Sequence, residues 1–344
     1  MATALDAILR DGTPIIDVRS AGEFAKGSFD QATNLPLLDD DERHQVGLTY
    51  REHGQQAAIA KGNELVSGQR KAERMRAWAE LARAHPDAVI CCWRGGLRSR
   101  TVAEWLAASG TDLEVIEGGF KALRRLVLDT LEHPDDKDFV ILGGRTGARK
   151  TELIGELDWS FDLEAAANHR GSSFGAQREP QPSQVTFENR LAVGYLRAGR
   201  RILLEDEARN IGSVTIPEPW VDKMRAAPLV VLEVEVGERA EAIARDYVRV
   251  PLDQGVPEAE LIDTLAAALL RLRKRLGDQR WRAIDTSLRR AFETGDHQSW
   301  IEPVLEHYYD PMYEYQIERF EQRIVFRGNR AAVTTYLEEL PTSR

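Results

Sequence analysis

The segment Cys91-Cys92-Trp93-Arg94-Gly95-Gly96-Leu97-Arg98-Ser99 constrains this chain more than any other. It follows the apolar run Ala88-Val89-Ile90 and precedes a helical pattern carried by Thr101, Val102, Trp105 and Leu106, so it reads as a strand, a tight loop and a helix start. A loop in that setting aims successive backbone N–H groups, and the positive end of a helix dipole, at one point above the thiol of Cys92. Arg94 and Arg98 add charge that lowers a thiol pKa and suits the forked binding of an anion. Gly95 and Gly96 let the backbone curl around that anion. Cys91, inside the apolar run, reads as a small buried hydrophobe, whereas the electropositive setting of Cys92 is not that of a structural cysteine. The expectation is an anion nest with a nucleophile at its base: Cys92, Arg94 and Arg98 do chemistry, while Trp93, Gly95, Gly96, Leu97 and Ser99 shape the loop.

At 344 residues the chain is long enough for two domains with separate cores. Its 42% hydrophobic and 30% charged residues are ordinary for a globular protein. No run is long and apolar enough for a bilayer span, and Met1 to Asp6 lacks a basic stretch leading into an apolar one, so a cytoplasmic protein with no membrane partner is expected. Two adjacent cysteines exclude a disulfide framework and a zinc ribbon. A net charge of −10 argues against indiscriminate nucleic-acid binding. One segment runs against that trend: Arg271, Arg273, Lys274, Arg275, Arg280, Arg282, Arg289 and Arg290 face only Asp278 and Asp285 as counter-charges, which makes either a local basic face or a solvated helix side.

Taken in order, Ala4 to Leu9 reads as a helix, Pro14 to Arg19 as a strand ending in Asp17-Val18-Arg19, and Ser20 to Phe29 as a short helix leading to Asn34-Leu35-Pro36. With the Cys92 loop, these residues and Glu23, Phe24 and Gly27 make residues 1 to 128 resemble the rhodanese family, whose loop cysteine carries a persulfide or perselenide. The spacing Cys92-x5-Arg98 is one residue longer than the usual sulfurtransferase loop and is shared with rhodanese-fold phosphatases, so the loop alone leaves chalcogen transfer and phosphate ester hydrolysis both open. Between Leu38 and Gly68 lies a segment that plain rhodanese domains lack, with helical spacing at Ile59 and Leu65. It reads as an insertion shaping the pocket, with Arg43 either a surface charge or a substrate contact. A helix from Arg70 to His85 with Met75, Trp78 and Leu81 inward, and a last strand Leu113 to Ile116, complete the unit.

The polar, proline-broken stretch 133–138 reads as a linker between a domain over 1–132 and a second over 139–330, followed by a C-terminal helix and tail over 331–344. The second opens with the strand Phe139 to Leu142 and Gly143-Gly144-Arg145-Thr146-Gly147-Ala148-Arg149-Lys150-Thr151, the context of a phosphate-binding loop. Gly144, Thr146, Gly147, Arg149, Lys150 and Thr151 are the expected diphosphate ligands. Arg149 stands where a glycine is expected, so the loop either recruits that arginine or binds phosphate less well. Arg201 to Glu205 reads as a strand ending in carboxylates, of which Asp206 or Glu207 either holds Mg²⁺ or pairs with Arg209 or Lys150. After the strand Leu229 to Val234 the chain turns mostly helical, with the aromatic cluster His307 to Tyr313 closing a helix and a short strand at Ile324 to Phe326.

The fusion resembles one family over almost the whole chain, the tRNA 2-selenouridine synthases. The carriers are Cys92 to Ser99, Glu117-Gly118-Gly119-Phe120-Lys121, Asn168-His169-Arg170-Gly171-Ser172-Ser173-Phe174-Gly175, Gln181-Pro182-Ser183-Gln184, Glu205-Asp206-Glu207 and Tyr308-Tyr309-Asp310-Pro311-Met312-Tyr313. The resemblance implies an α/β rhodanese-like domain followed by a P-loop NTPase-like α/β domain with a helical C-terminal part. It implies geranylation of a wobble 2-thiouridine in tRNA with geranyl diphosphate, then replacement of the S-geranyl group with selenium from selenophosphate. Cys92 would carry selenium as a perselenide and the loop would bind selenophosphate supplied by its synthase. No tightly bound cofactor is expected beyond Mg²⁺, and the chain is expected to act as a monomer. His169, Arg170, Arg273, Lys274 and Arg275 are candidate contacts to the anticodon loop. A thiosulfate-type sulfurtransferase, a Cys-x5-Arg phosphatase with a degenerate P-loop domain, and a non-enzymatic RNA-binding module are the alternatives; Cys91 stands where such a phosphatase has a histidine.

Overall fold

A computed structural model describes residues 2–170 and 179–341, so Gly171 to Gly175 of the candidate motif lie outside the described residues. The first elements are α1 (Ala2–Arg10), β1 (Ile15–Asp17), α2 (Ala21–Ala25), β2 (Ala32–Asn34), α3 (Asp40–Leu65), α4 (Gly68–Ala84), β3 (Val89–Cys91), α5 (Leu97–Ala108) and α6 (Gly119–Glu132). Then come β4 (Asp138–Gly144), α7 (Lys150–Glu156), β5 (Ser160–Phe161), α8 (Leu163–Ala167), α9 (Gln184–Arg197), β6 (Arg201–Glu205), β7 (Asn210–Ile211), β8 (Val214–Thr215), α10 (Glu218–Ala226) and β9 (Leu229–Leu232). The chain ends with α11 (Val236–Ala244), α12 (Val250–Asp253), α13 (Glu258–Leu276), α14 (Asp278–Thr294), α15 (Gln298–Val304), α16 (Asp310–Arg319), β10 (Ile324–Gly328) and α17 (Arg330–Glu339). Among the described residues no helix is long and apolar enough to cross a membrane.

The chain divides into two compact units, residues 1–133 with 182–197, and residues 134–181 with 198–344. The first is built on a parallel sheet of order β2-β1-β3. Its strands β1 and β3 are short, mostly apolar runs buried on both faces, as a sheet covered by helices requires, while the edge strand β2 is partly exposed. The expected last strand reduces to a single parallel bridge, Ile90 to Val115. The core gathers Ile16, Val18, Trp78, Ile90, Val102 and Leu106, with Met75 and Leu81 partly buried against it. The expected contiguous second domain over 139–330 departs from the structure at two places: α17, expected to lie outside it, belongs to the second unit, and α9 belongs to the first. Its buried residues Phe187, Leu191, Ala192 and Tyr195 form one apolar side, and it packs on α1 and α6. Asn189 seals the contact, accepting from Arg124 at 3.1 Å and donating to the Ser28 carbonyl at 2.8 Å.

The second unit carries an all-parallel sheet of order β10-β9-β4-β6-β5. The chain leaves β4 on one side to build β6 and β5, then on the other to build β9 and β10, so the carboxyl end of β4 stands at the switch point where such sheets bind ligands. Val140, Leu142, Leu203, Val230 and Leu232 pack there with Leu153 of α7 and with Val333 and Leu337 of α17, which ties the C-terminal helix into the core. A helical layer follows, in which Leu261, Leu265, Leu269, Leu272 and Leu276 put one stripe of α13 against Ile284, Leu288, Trp300 and Tyr309.

Candidate active sites

Each unit ends a central strand in a loop that opens a helix. In the first, β3 runs into Cys92 and α5 starts at Leu97 with Gly96 as its cap. Gly95 has φ +59°, and a Cβ there would stand 2.8 Å from the Gly118 nitrogen and collide with the Ile116 carbonyl; one on Gly119 would collide with the Cys92 carbonyl. The two glycine turns therefore interlock backbone to backbone, which the Phe120 N–H to Cys92 carbonyl bond (2.8 Å) and the Lys121 N–H to Trp93 carbonyl bond (3.0 Å) complete.

The Cys92 sulfur is buried with the Ser99 hydroxyl 3.2 Å away. Burial pushes the thiol pKa up, but the Ser99 hydroxyl, the amides of Arg94 and Ser99 and the charge of Arg98 outweigh it and leave it below that of an ordinary thiol. Cys91 goes the other way: burial and nearby Asp17 raise it well above that value, which makes it an inert core residue. Arg98 donates to Glu23 at 2.6 and 3.3 Å, and Arg43 reaches the same carboxylate at 3.0 Å. Burial raises Glu23, yet the bonds and charges of these arginines and the Ser20 amide bring it below the usual carboxylate value, so it stays an anion. Arg43, expected either at the surface or on substrate, thus stands half exposed on Glu23. Arg94 is exposed. Trp93 is 41% exposed and stacks on Phe120 at 5.6 Å, and Phe120 lies 3.8 Å beneath the guanidinium of Arg19. Arg19 is fully buried and forks onto Asp17, which gives the Asp17-Val18-Arg19 motif a structural role below the loop.

In the second unit β4 runs into the expected phosphate loop and α7 begins at Lys150. Arg149 adopts the left-handed conformation (φ 64°, ψ 37°) that a glycine would take, and its side chain turns out to Glu152 at 2.8 Å. The loop keeps its course at a local cost of roughly 1–2 kcal/mol for a non-glycine residue in that region. Lys150 donates to the Gly144 carbonyl at 3.1 Å. Burial lowers its pKa, but Glu205, Glu207, Glu164 and Asp206 together raise it, so it stays an ammonium. Thr151 donates to Glu164 at 3.2 Å.

Three carboxylates converge opposite that lysine: ligand atoms of Glu164, Glu205 and Glu207 lie within 4.8 Å of one another. Burial and the neighbouring Glu164 push Glu205 and Glu207 up to about 8 against the pull of Lys150. Both oxygens of Glu205 are buried with no hydrogen-bond partner among the described residues. Buried oxygens without a hydrogen-bond partner beside a phosphate loop fit a divalent cation with hard oxygen ligands, which would take the place of the protons these carboxyls otherwise hold. Of the two acids expected to hold Mg²⁺, Glu207 is in this group and Asp206 is not. Along an extended strand side chains alternate, so Glu205 and Glu207 share a face and Asp206 points away, toward Tyr313, whose hydroxyl also lies by Gly143. Sequence reasoning missed Glu205 and Glu164 as site residues; the alternation was the available signal for the first.

The loop is braced from behind. Arg239, 1% exposed, donates to both oxygens of Asp310 (2.8 and 2.7 Å) and to the Thr146 carbonyl at 3.2 Å. The motif Tyr308 to Tyr313, read as helix-end packing, supplies this brace. A cavity of about 590 Å³ spreads from the loop, charged at Lys150, Glu164, Glu207 and Arg245 and apolar where Ile243, Tyr309 and Met312 line it. His169 and Arg170 reach it too; Arg170 donates to the Asp246 carbonyl at 3.2 Å and lies over Tyr247. Gln181 ties the Ala167 and Ile211 carbonyls together nearby. Arg273, Lys274 and Arg275 do not line it. They sit on the exposed side of α13, where Arg273 pairs with Asp278 at 2.7 Å and Arg275 donates to the Tyr308 hydroxyl at 3.3 Å.

Comparison with known proteins gives two domains as well, with α9 counted in the second. Residues 137–343 match the family model described as the tRNA 2-selenouridine synthase AAA domain, and residues 1–126 match the rhodanese-like domain. Proteins named tRNA 2-selenouridine synthase align along nearly their whole length. That of Cupriavidus necator is 46% identical, covering 95% of this chain and 94% of its own. That of Pseudomonas fluorescens Pf0-1 is 47% identical over 97% and 96%, and that of Shewanella frigidimarina 41% over 96% of each.

Proposed function

The chain belongs to the tRNA 2-selenouridine synthase family, and from that premise we propose that it is a tRNA-modifying transferase that geranylates a wobble 2-thiouridine and then exchanges the S-geranyl group for selenium. One observation carries this reading: a single chain holds two anion nests of different chemistry, one built on a thiol kept below its usual pKa and one on an ammonium beside an apolar wall.

The second nest suits geranyl diphosphate. Lys150, Thr151 and the amides of Gly144 to Lys150 hold the diphosphate, while Ile243, Tyr309 and Met312 offer the prenyl chain a surface that a nucleotide's sugar would not use. Glu164, Glu205 and Glu207 would hold Mg²⁺, which when bound adds positive charge where the diphosphate leaves. The thiouridine sulfur attacks the allylic carbon, a C–S bond forms and diphosphate departs. His169 and Arg170 contact the RNA, with Arg273, Lys274 and Arg275 adding a basic face.

The first nest suits selenophosphate, delivered by the enzyme that makes it. In the exchange the C2–S bond breaks as C2–Se forms, geranylthiol leaves, and water takes selenium's place on phosphorus; no oxidant or reductant enters. A perselenide formed directly from selenophosphate would release phosphorus at the oxidation state of phosphite. Attack of the Cys92 thiolate on phosphorus instead releases hydroselenide, a weak base that leaves without a proton donor, and water then clears phosphate from the sulfur. The Cys92-x5-Arg98 spacing and the Ser99 hydroxyl on the sulfur favour this route.

Mass spectrometry of RNA nucleosides tests both steps. With geranyl diphosphate and selenophosphate supplied, Cys92→Ser is expected to stop at S-geranyl-2-thiouridine. Lys150→Ala is expected to make none from 2-thiouridine yet still convert pre-geranylated RNA to 2-selenouridine. Selenation by Cys92→Ser would overturn the assignment of the first nest; geranylation by Lys150→Ala at the parent rate would overturn that of the second.

A further inference from the structure

The first unit holds a second hollow that neither nest uses, a cavity of about 270 Å³ made by the inserted helix α3. That helix is not one rod. At Gly54 the backbone takes φ 82° and ψ −175°, and a side chain there would meet nothing, so the chain turns sharply in open space. Val46 and Gly62, placed symmetrically about that turn, approach each other: a Cβ on Gly62 would stand 3.9 Å from Val46. The two arms therefore form a hairpin, and with α5 they enclose walls that include Leu38, Val46, Ala58, Val66 and Trp105. Arg98, in the first turn of α5 after the Cys92 loop, lines the same cavity beside Leu97. Its rim leaves Tyr50 57%, Leu97 52% and Ile59 36% exposed, an apolar edge with no cover among the described residues.

A hollow lined mostly by hydrocarbon, with Gln55, Asn63 and Thr101 and the single charge of Arg98 among its lining residues, suits a hydrocarbon chain better than a phosphate or a sugar. An apolar protein cavity of about 150 Å³ takes a six-carbon ring; by that measure this one takes a chain of about ten carbons. We propose that it seats the prenyl chain of S-geranyl-2-thiouridine while selenium replaces sulfur at the Cys92 nest. The proposal rests on the selenation reading above and adds what the insertion does: only the prenylated base fills the hollow, so RNA that has skipped geranylation is held poorly and the two steps keep their order.

The test uses the full chain, selenophosphate and RNAs whose 2-thiouridine carries a methyl, a five-carbon prenyl or a geranyl group. For the parent protein kcat/KM is expected to rise with chain length. Ala58→Phe, which fills the cavity, is expected to lower kcat/KM for the geranyl substrate about tenfold or more, mostly through KM, and to move the optimum to the five-carbon chain. The methyl substrate, too short to enter, should change about twofold at most. Ile59→Asp charges the rim without touching the core and is expected to act in the same direction, which guards against a folding defect in the first variant. Unchanged chain-length preference in both variants, or an equal loss on all three substrates, would overturn the cavity's role while leaving the selenation reading intact. No selenouridine from the geranyl substrate with the parent protein would instead overturn that reading.

Discussion

The two anion loops share a plan, parallel strand to loop to helix N-terminus, yet they treat the glycine requirement in opposite ways. Around Cys92 the glycines are needed because other backbone lies against them: Gly95 and Gly119 each leave no room for a Cβ. At Arg149 only the left-handed backbone is required, and a side chain that can point outward to Glu152 is tolerated. A loop wedged against a second loop cannot accept a methyl group, whereas one whose special residue faces outward can carry a long cation. Both loops also rest on a buried arginine forked onto an aspartate, Arg19 on Asp17 and Arg239 on Asp310. The first pair lies two residues apart on one strand end; the second joins α11 to α16 across the fold.

That contrast can be broken by substitution, beginning with the braces. Asp310→Ala leaves Arg239 charged, buried and unpaired, and should cost about 3–5 kcal/mol. Thermal melting would read this, and a loss below about 1 kcal/mol would mean that the Thr146 carbonyl and water suffice. Gly119→Ala comes next. Strain from a left-handed alanine adds to a backbone clash, for roughly 2–4 kcal/mol, and the displaced Cys92 loop should lose its reactive thiol, seen as slower alkylation at neutral pH. Arg149→Gly is the mirror experiment and should be mild. Relief of the left-handed side chain, offset by a looser unfolded chain and a lost surface pair, nets about 1 kcal/mol of stabilisation or less, with tighter diphosphate binding by calorimetry. Weaker binding would mean that the arginine side chain turns back onto the phosphates.

Ser99→Ala should disturb stability least and sharpen the comparison most. The thiolate reacts, and the Cys92 thiol lies below its ordinary pKa, so alkylation of the parent protein should stay fast as pH falls beneath the usual thiol range. Removing the hydroxyl takes away the largest of the contributions that lower it, so the pH profile should move upward. A profile that does not move would assign the shift to the amides and Arg98 alone.

Much of this was legible in the linear chain. Apolar β-branched runs before Gly-rich loops marked β3 and β4, and the contrast between an apolar and a cationic setting separated Cys91 from Cys92. Other features were not. Glu23 takes Arg98 across 75 positions, and α9 packs on a unit that ended some fifty residues earlier, because an apolar helix side shows that it must be buried and not against what. The metal-side acid was left between Asp206 and Glu207, although the two-residue repeat of a strand puts Glu205 and Glu207 together. The hairpin turn in α3 was hidden because its glycine sits inside a long helical pattern, where a glycine is as often tolerated as it is a hinge.

By itself the sequence determined which atoms can do chemistry: a thiol among arginines and glycines, and a lysine and threonine after a strand, each set by neighbours a few residues away. Only the tertiary structure decided which charges those atoms meet, where the carboxylate group assembles, and that an insertion folds back to leave a largely apolar hollow beside Arg98. Local spacing sets backbone geometry within a turn or two, but burial and electrostatics are summed over everything that packs nearby, and that sum is not written in any one stretch of the chain.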